Sequence, residues 1–139
     1  MAVLKFRGTA PFWSGGHASA GVAAPAPRWF FAEGATGDFF DTYLLVANPN
    51  DSAANVTYEY LLPDGTVITE SRSVLGNSRF TVNVEAQHAS LRNTAVSTVI
   101  SSDLPIVADH LSTAGFSDDD VRGVMGGNWL RFFRSALPG

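Results

Sequence analysis

NVTYEYLLPDG, running from Asn55 to Gly65, decides the fold. Val56, Tyr58, Tyr60 and Leu62 alternate with Thr57 and Glu59, the period of two that puts apolar groups on one face of a β-strand. Pro63-Asp64-Gly65 then supplies a turn, because proline presets φ and glycine accepts a positive one. Thr66–Leu75 is the expected returning arm of this hairpin. Gly76-Asn77 turns the chain again into Ser78–Val84, where Phe80, Val82 and Val84 are expected inside and Thr81 and Asn83 outside.

Working outward, the same grammar recurs. Thr42–Ala47 is bounded by Asn48-Pro49-Asn50-Asp51, and Arg28–Glu33 is closed by Gly34 and a Gly37-Asp38 turn. Thr94–Ser101 and Pro105–His110 follow, joined by a turn at Ser102-Asp103. Seven short strands with turn residues between them predict an all-β fold, a seven-stranded antiparallel β-sandwich of Ig-like type spanning residues 28–110. Tyr43, Leu44, Leu45 and Val46 are apolar on both faces, so their strand should be covered on both sides, by an end of the chain or by another subunit.

The ends read differently. Residues 1–27 lack periodicity, and the Gly, Ser, Ala and Pro of 14–27 predict a linker arm that Phe12 and Trp13 pin to the domain. Residues 111–139 form a tail. Ser117 ahead of Asp118, Asp119 and Asp120 resembles a helix N-cap, and 128–136 is a second short helical candidate rich in Trp and Phe.

Bulk composition narrows the function. The 139 residues carry nine Lys and Arg against thirteen Asp and Glu, for a net charge of -4. Those cations are scattered, which argues against a nucleic-acid partner. There is no cysteine, so disulfides, thiolate metal sites and a cysteine nucleophile are excluded together. No apolar run approaches the ~20 residues that cross a bilayer, and the first residues are too short and interrupted for a signal peptide. As written, the chain is expected in the cytoplasm, without membrane insertion.

Chemistry-bearing residues are few. His17, His88 and His110 show no metal-ligand spacing, and no metal or other cofactor is expected. No Gly-x-Ser-x-Gly elbow or phosphate-cradling glycine motif occurs. Carboxylates are the remaining route to catalysis, since a glycosidase needs two of them roughly 5–10 Å apart. Glu33, Asp41 and Asp109 fall near strand ends and are the candidates for that role. The alternative for Glu33 and Asp41 is backbone capping in turns. As ligand-binding residues we single out Trp29, Glu33, Asp38, Asp109 and His110, because rim aromatics stack on sugar rings and polar neighbours bind hydroxyls. Trp29 also suits the core.

Trp29–Gly37, Phe40–Asn50, Leu61–Gly65, Asn77–Val84 and Asp103–Val107, in this order, resemble a β-sandwich module repeated in tandem in large bacterial cell-surface proteins. More distantly, the Ala32-Glu33-Gly34 turn, the Asn48 turn and Pro105–His110 resemble the sensory rhodopsin transducer family, small β-sandwiches that oligomerise and have been linked to carbohydrate-like ligands. The first resemblance implies an extracellular parent family. It stops near His110, so both ends are expected to be foreign to the module. The second implies a transducer-like architecture. The resulting expectation is a non-catalytic binding or adhesion module for a carbohydrate that forms a homo-oligomer, dimer or tetramer. A small glycoside hydrolase is the alternative. Burial adds to the oligomer expectation, since a two-faced apolar strand and a Trp- and Phe-rich tail exceed what one small core hides.

Overall fold

The computed structural model describes residues 2–7, 13–19, 22–38 and 40–114. The chain divides into two compact units, one containing the first hairpin and the other spanning 21–113. In the first, β1 (Ala2–Arg7) pairs antiparallel with β2 (Trp13–Ser19), from Ala2↔Ser19 to Arg7↔Trp13 with an irregularity at Phe6/Arg7. The expected linker is therefore partly a hairpin. Small residues such as Gly15 and Gly16 give no apolar alternation, yet backbone pairing requires none. The helical expectations for the tail lie outside the described residues.

The second unit is all-β apart from a single 3₁₀ turn at Ala89–Leu91. Its strands are β3 (Ala26–Phe31), β4 (Phe40–Asn48), β5 (Ala54–Leu61), β6 (Val67–Val74), β7 (Ser78–Asn83) and β8 (Ser97–Ala114). They join in one sheet of order β6-β5-β8-β4-β7, with β3 beside β8. Residues Thr98–Ser101 of β8 are flanked by β5 on one side and β3 on the other. Because both edges are taken there, β4 must pair with the later part of β8. One long strand thus serves two halves of the sheet.

This corrects the expected break at Ser102-Asp103: the sixth and seventh predicted strands are one. Between the pairs Arg28↔Ser101 and Ala26↔Ile106, β3 advances by two residues (28 − 26) and β8 by five (106 − 101). The three extra residues form an irregular bulged stretch rather than a turn. Pro105 is tolerated within it, where ladder bonding is already interrupted. The Asp103 carboxylate accepts from the Asn55 backbone N–H at 2.8 Å and from its side-chain amide at 2.7 Å, tying the bulge to β5.

Inward residues from the two ends of the sheet meet in one core: Leu44 and Val46 of β4, Val56, Tyr58 and Tyr60 of β5, Val82 of β7, and Ile100, Ile106 and Ala108 of β8. Strands at opposite ends of the order share a core only if the sheet curls on itself. Each fully buried aliphatic side chain contributes roughly 1.5–3 kcal/mol by leaving water. Val56, Tyr58 and Tyr60 are wholly buried, as the alternation of β5 predicts. On β4, Tyr43 and Leu44 face opposite ways and both are buried, so both faces of that strand are shielded there. Phe80 departs from expectation. It pairs with buried Val46 but remains 38% exposed, because β7 ends the sheet and no further strand covers the ring. The Arg72 guanidinium lies over it, 5.5 Å from the centroid.

Candidate binding site

At one end of the curled sheet, Asp41, Asn83, Glu85, Ala86 and Arg92 line a cleft of about 320 Å³. Asp41 comes from the start of β4, Asn83 closes β7, and Glu85 and Ala86 lie in the turn that follows. Arg92 ends the 3₁₀ turn, where its backbone N–H donates to the Ala89 carbonyl at 3.3 Å. The walls are held by local bonds. Val84 N–H donates to the Thr42 carbonyl at 3.0 Å, and the Gln87 amide donates to the Asn83 carbonyl at 2.6 Å. His88 caps the 3₁₀ turn by accepting from Ser90 N–H at Nδ1 (3.1 Å). Buried Thr36 ties the segment down by donating to the Leu91 carbonyl at 2.7 Å.

Two carboxylates, a carboxamide and a guanidinium offer acceptors and donors to a hydroxyl-rich ligand. Among the described residues the lining contains no serine, cysteine or histidine. Among the described residues, no three His, Asp or Glu side chains are grouped to hold a metal ion.

The residues expected from sequence are distributed differently. Asp41 lines the polar cleft. Asp109 borders a separate cleft of about 160 Å³, mostly apolar, with Leu45, Ala47, Phe80, Thr81 and Val107. Its carboxylate accepts from the His110 backbone N–H at 2.8 Å, and the His110 ring packs 5.0 Å from the Phe31 ring. Glu33 follows β3 and is exposed, as is Asp38. Gly34 packs closely on Val96 and Thr42, where a Cβ would stand 3.0 Å from the Val96 carbonyl oxygen and 3.3 Å from the Thr42 side chain, so Glu33 and Asp41 occupy adjoining segments. Trp29 is half-buried against the core, and its indole N–H donates to the carbonyls of Ala26 (3.0 Å) and Ile106 (3.1 Å).

Asn83, Glu85 and Arg92 escape a reading of the sequence. They belong to a strand end, a turn and a 3₁₀ exit, with no motif linking them, and only the packing of β7 on β4 brings them to Asp41.

A second polar group lies inside the sheet. Tyr58 and Tyr60 stack with ring centroids 6.5 Å apart, and both hydroxyls are buried without a hydrogen-bond partner among the described residues. Desolvation pushes the Tyr58 phenol up to about 12, with Arg72 partly opposing. Tyr60 is raised further, by desolvation first and then by Glu70 and Tyr58.

The fold has counterparts among solved structures. The Anabaena sensory rhodopsin transducer aligns over 66% of this chain and all of its own, at 21% identity and a TM-score of 0.57. The all-β fold resembles that of the transducer. A Thermotoga maritima crystal structure aligns over 68% of this chain and 96% of its own, at 15% identity and a TM-score of 0.57. No family model and no curated protein sequence matches the chain. At these identities the likeness is one of fold. No described helix is long and apolar enough to cross a membrane.

Proposed function

We propose that the domain is a non-catalytic, self-associating binding module that takes a carbohydrate-type ligand in the Asp41–Asn83–Glu85–Arg92 cleft. The carrying observation is the lining itself: charged and amide groups around an open cleft, with Ala86 the one apolar contributor among the described residues. Such a surface matches the alternating donors and acceptors of a polyol. The sequence resemblance to tandem modules supports a bacterial surface-protein setting, in which binding without turnover is what a repeated unit does.

Asp41 and Glu85 sharing a cleft is the specific observation behind a second reading, a glycoside hydrolase. Against it stands the environment, since the general acid of such enzymes is held protonated by an apolar pocket, and this cleft is polar. Isothermal titration and a glycan array on the full chain test the leading reading. The expected result is saturable binding to a glycan, weakened at least about tenfold by Arg92→Ala. An array without signal for the folded protein overturns it. Turnover of chromogenic glycosides abolished by Glu85→Gln promotes the hydrolase instead.

A further inference from the structure

β6 ends the sheet, and among the described residues no strand pairs with its outer edge. The hairpin bond from Leu62 N–H to the Thr66 carbonyl (2.9 Å) sets the phase of the β5–β6 ladder. Counting in twos from that pair, the even residues of β6 bond to β5. The odd ones, Val67, Thr69, Ser71 and Ser73, therefore turn their N–H and C=O groups outward. An open edge of this kind is a template for another strand.

We propose that β6 is a dimerisation strand, pairing antiparallel with β6 of a second copy about a two-fold axis through Ser71. The proposal rests on the self-association in the reading above and names its interface. The register follows from charge. An axis through residue 70 sets Glu70 against Glu70 of the second copy, and one through 72 sets Arg72 against Arg72; like charges directly opposite destabilise a pair. Axes through 69 or 73 leave the charges facing apolar or small groups. Through Ser71, Glu70 of each copy faces Arg72 of the other.

Everything else on the strand then matches. Ile68 meets Val74 on the inner face, and Thr69 meets Ser73 on the outer. Val67 (51% exposed) meets Leu75 (70% exposed), so each covers the other's unpartnered apolar surface. Phe80, 38% exposed, borders the same edge under Arg72. Within one copy, the Arg72 guanidinium stands 3.5 Å from Oε2 of Glu70 as an ion pair and donates to the Gln87 side-chain carbonyl. In this register each Glu70–Arg72 pair lies opposite the reversed pair of the second copy, giving alternating charge along the shared edge. Inward-pointing charges usually blunt an edge strand; here their opposite signs admit one register and penalise its neighbours.

Sedimentation velocity on the full chain tests this. Wild type is expected above the 14.8 kDa of one chain. Glu70→Arg alone and Arg72→Glu alone are each expected to weaken the dimer by on the order of tenfold or more, and an equimolar mixture of the two is expected to recover it as a heterodimer. Because the chain lacks cysteine, Ser71→Cys provides a second readout. Across a two-fold axis its copies fall within disulfide reach and should cross-link under mild oxidation, whereas Thr69→Cys should not. A monomeric wild type overturns both this interface and the self-association. An oligomer indifferent to both charge reversals, with no Ser71→Cys cross-link, overturns the interface and leaves self-association standing.

Discussion

The buried carboxamide of Asn48, at the end of β4, donates to the Val74 carbonyl at the end of β6 at 3.0 Å. The same nitrogen reaches the Ser52 carbonyl at 2.8 Å and the Leu75 carbonyl at 3.2 Å. Its oxygen accepts from the Asn50 backbone and side chain. One side chain thus fastens three segments at the corner where β6 leads into β7. Asn48→Leu keeps the volume but strands those groups, and should cost about 2–4 kcal/mol in urea unfolding. A variant as stable as wild type would show that water replaces the amide.

Tyr58 and Tyr60 should behave in the opposite sense. Their hydroxyls are buried without partners among the described residues, so removing one removes a desolvation cost. Tyr58→Phe and Tyr60→Phe are each expected to leave stability unchanged or raise it by up to about 2 kcal/mol.

Alkali probes the same pair. The Tyr58 phenol is raised to about 12 by burial, so its neutral form is the one the fold prefers. The associated stability is complete below the ordinary value near 10 and is lost as pH rises toward 12, because above 10 the unfolded chain releases its proton first. Phenolate absorbance against pH should show late ionisation in wild type. In Tyr60→Phe, the Tyr58 step remains.

Acid acts through Asp103. The Asn55 backbone N–H, and then its side-chain amide, hold the Asp103 carboxyl below its usual range. A depressed carboxyl contributes stability that is full above its unfolded value and disappears as pH falls through the folded one. The urea midpoint of wild type should therefore exceed that of Asp103→Asn at neutral pH, with the gap closing in acid. Parallel pH profiles would refute the role.

Trp29 and Arg92 separate stability from binding. Trp29→Phe deletes the donor shared by Ala26 and Ile106 and should cost about 1–3 kcal/mol without altering glycan affinity. Arg92→Ala should do the reverse. If Trp29→Phe abolishes binding in a fully folded protein, the ring contacts ligand and the site extends beyond the cleft.

Alternation is a local property, and so it was legible. The period of two in Asn55–Leu62 placed Val56, Tyr58 and Tyr60 inside, and the turn at Pro63-Asp64-Gly65 placed the returning strand, because side-chain direction in a strand depends only on parity. Pairing is not local. Whether Ser102-Asp103 is a turn or a bulge depends on Asn55, 48 residues away, and on β3 and β5 already holding both edges of Thr98–Ser101. Asp41 was visible as an acidic residue at a strand start, but its company of Asn83, Glu85 and Arg92 was not, since the contact exists only once the sheet curls. The alternating strand Asn55–Leu62 was thus determined by its own residues. That its partner β6 ends the sheet among the described residues was decided by the order of the strands.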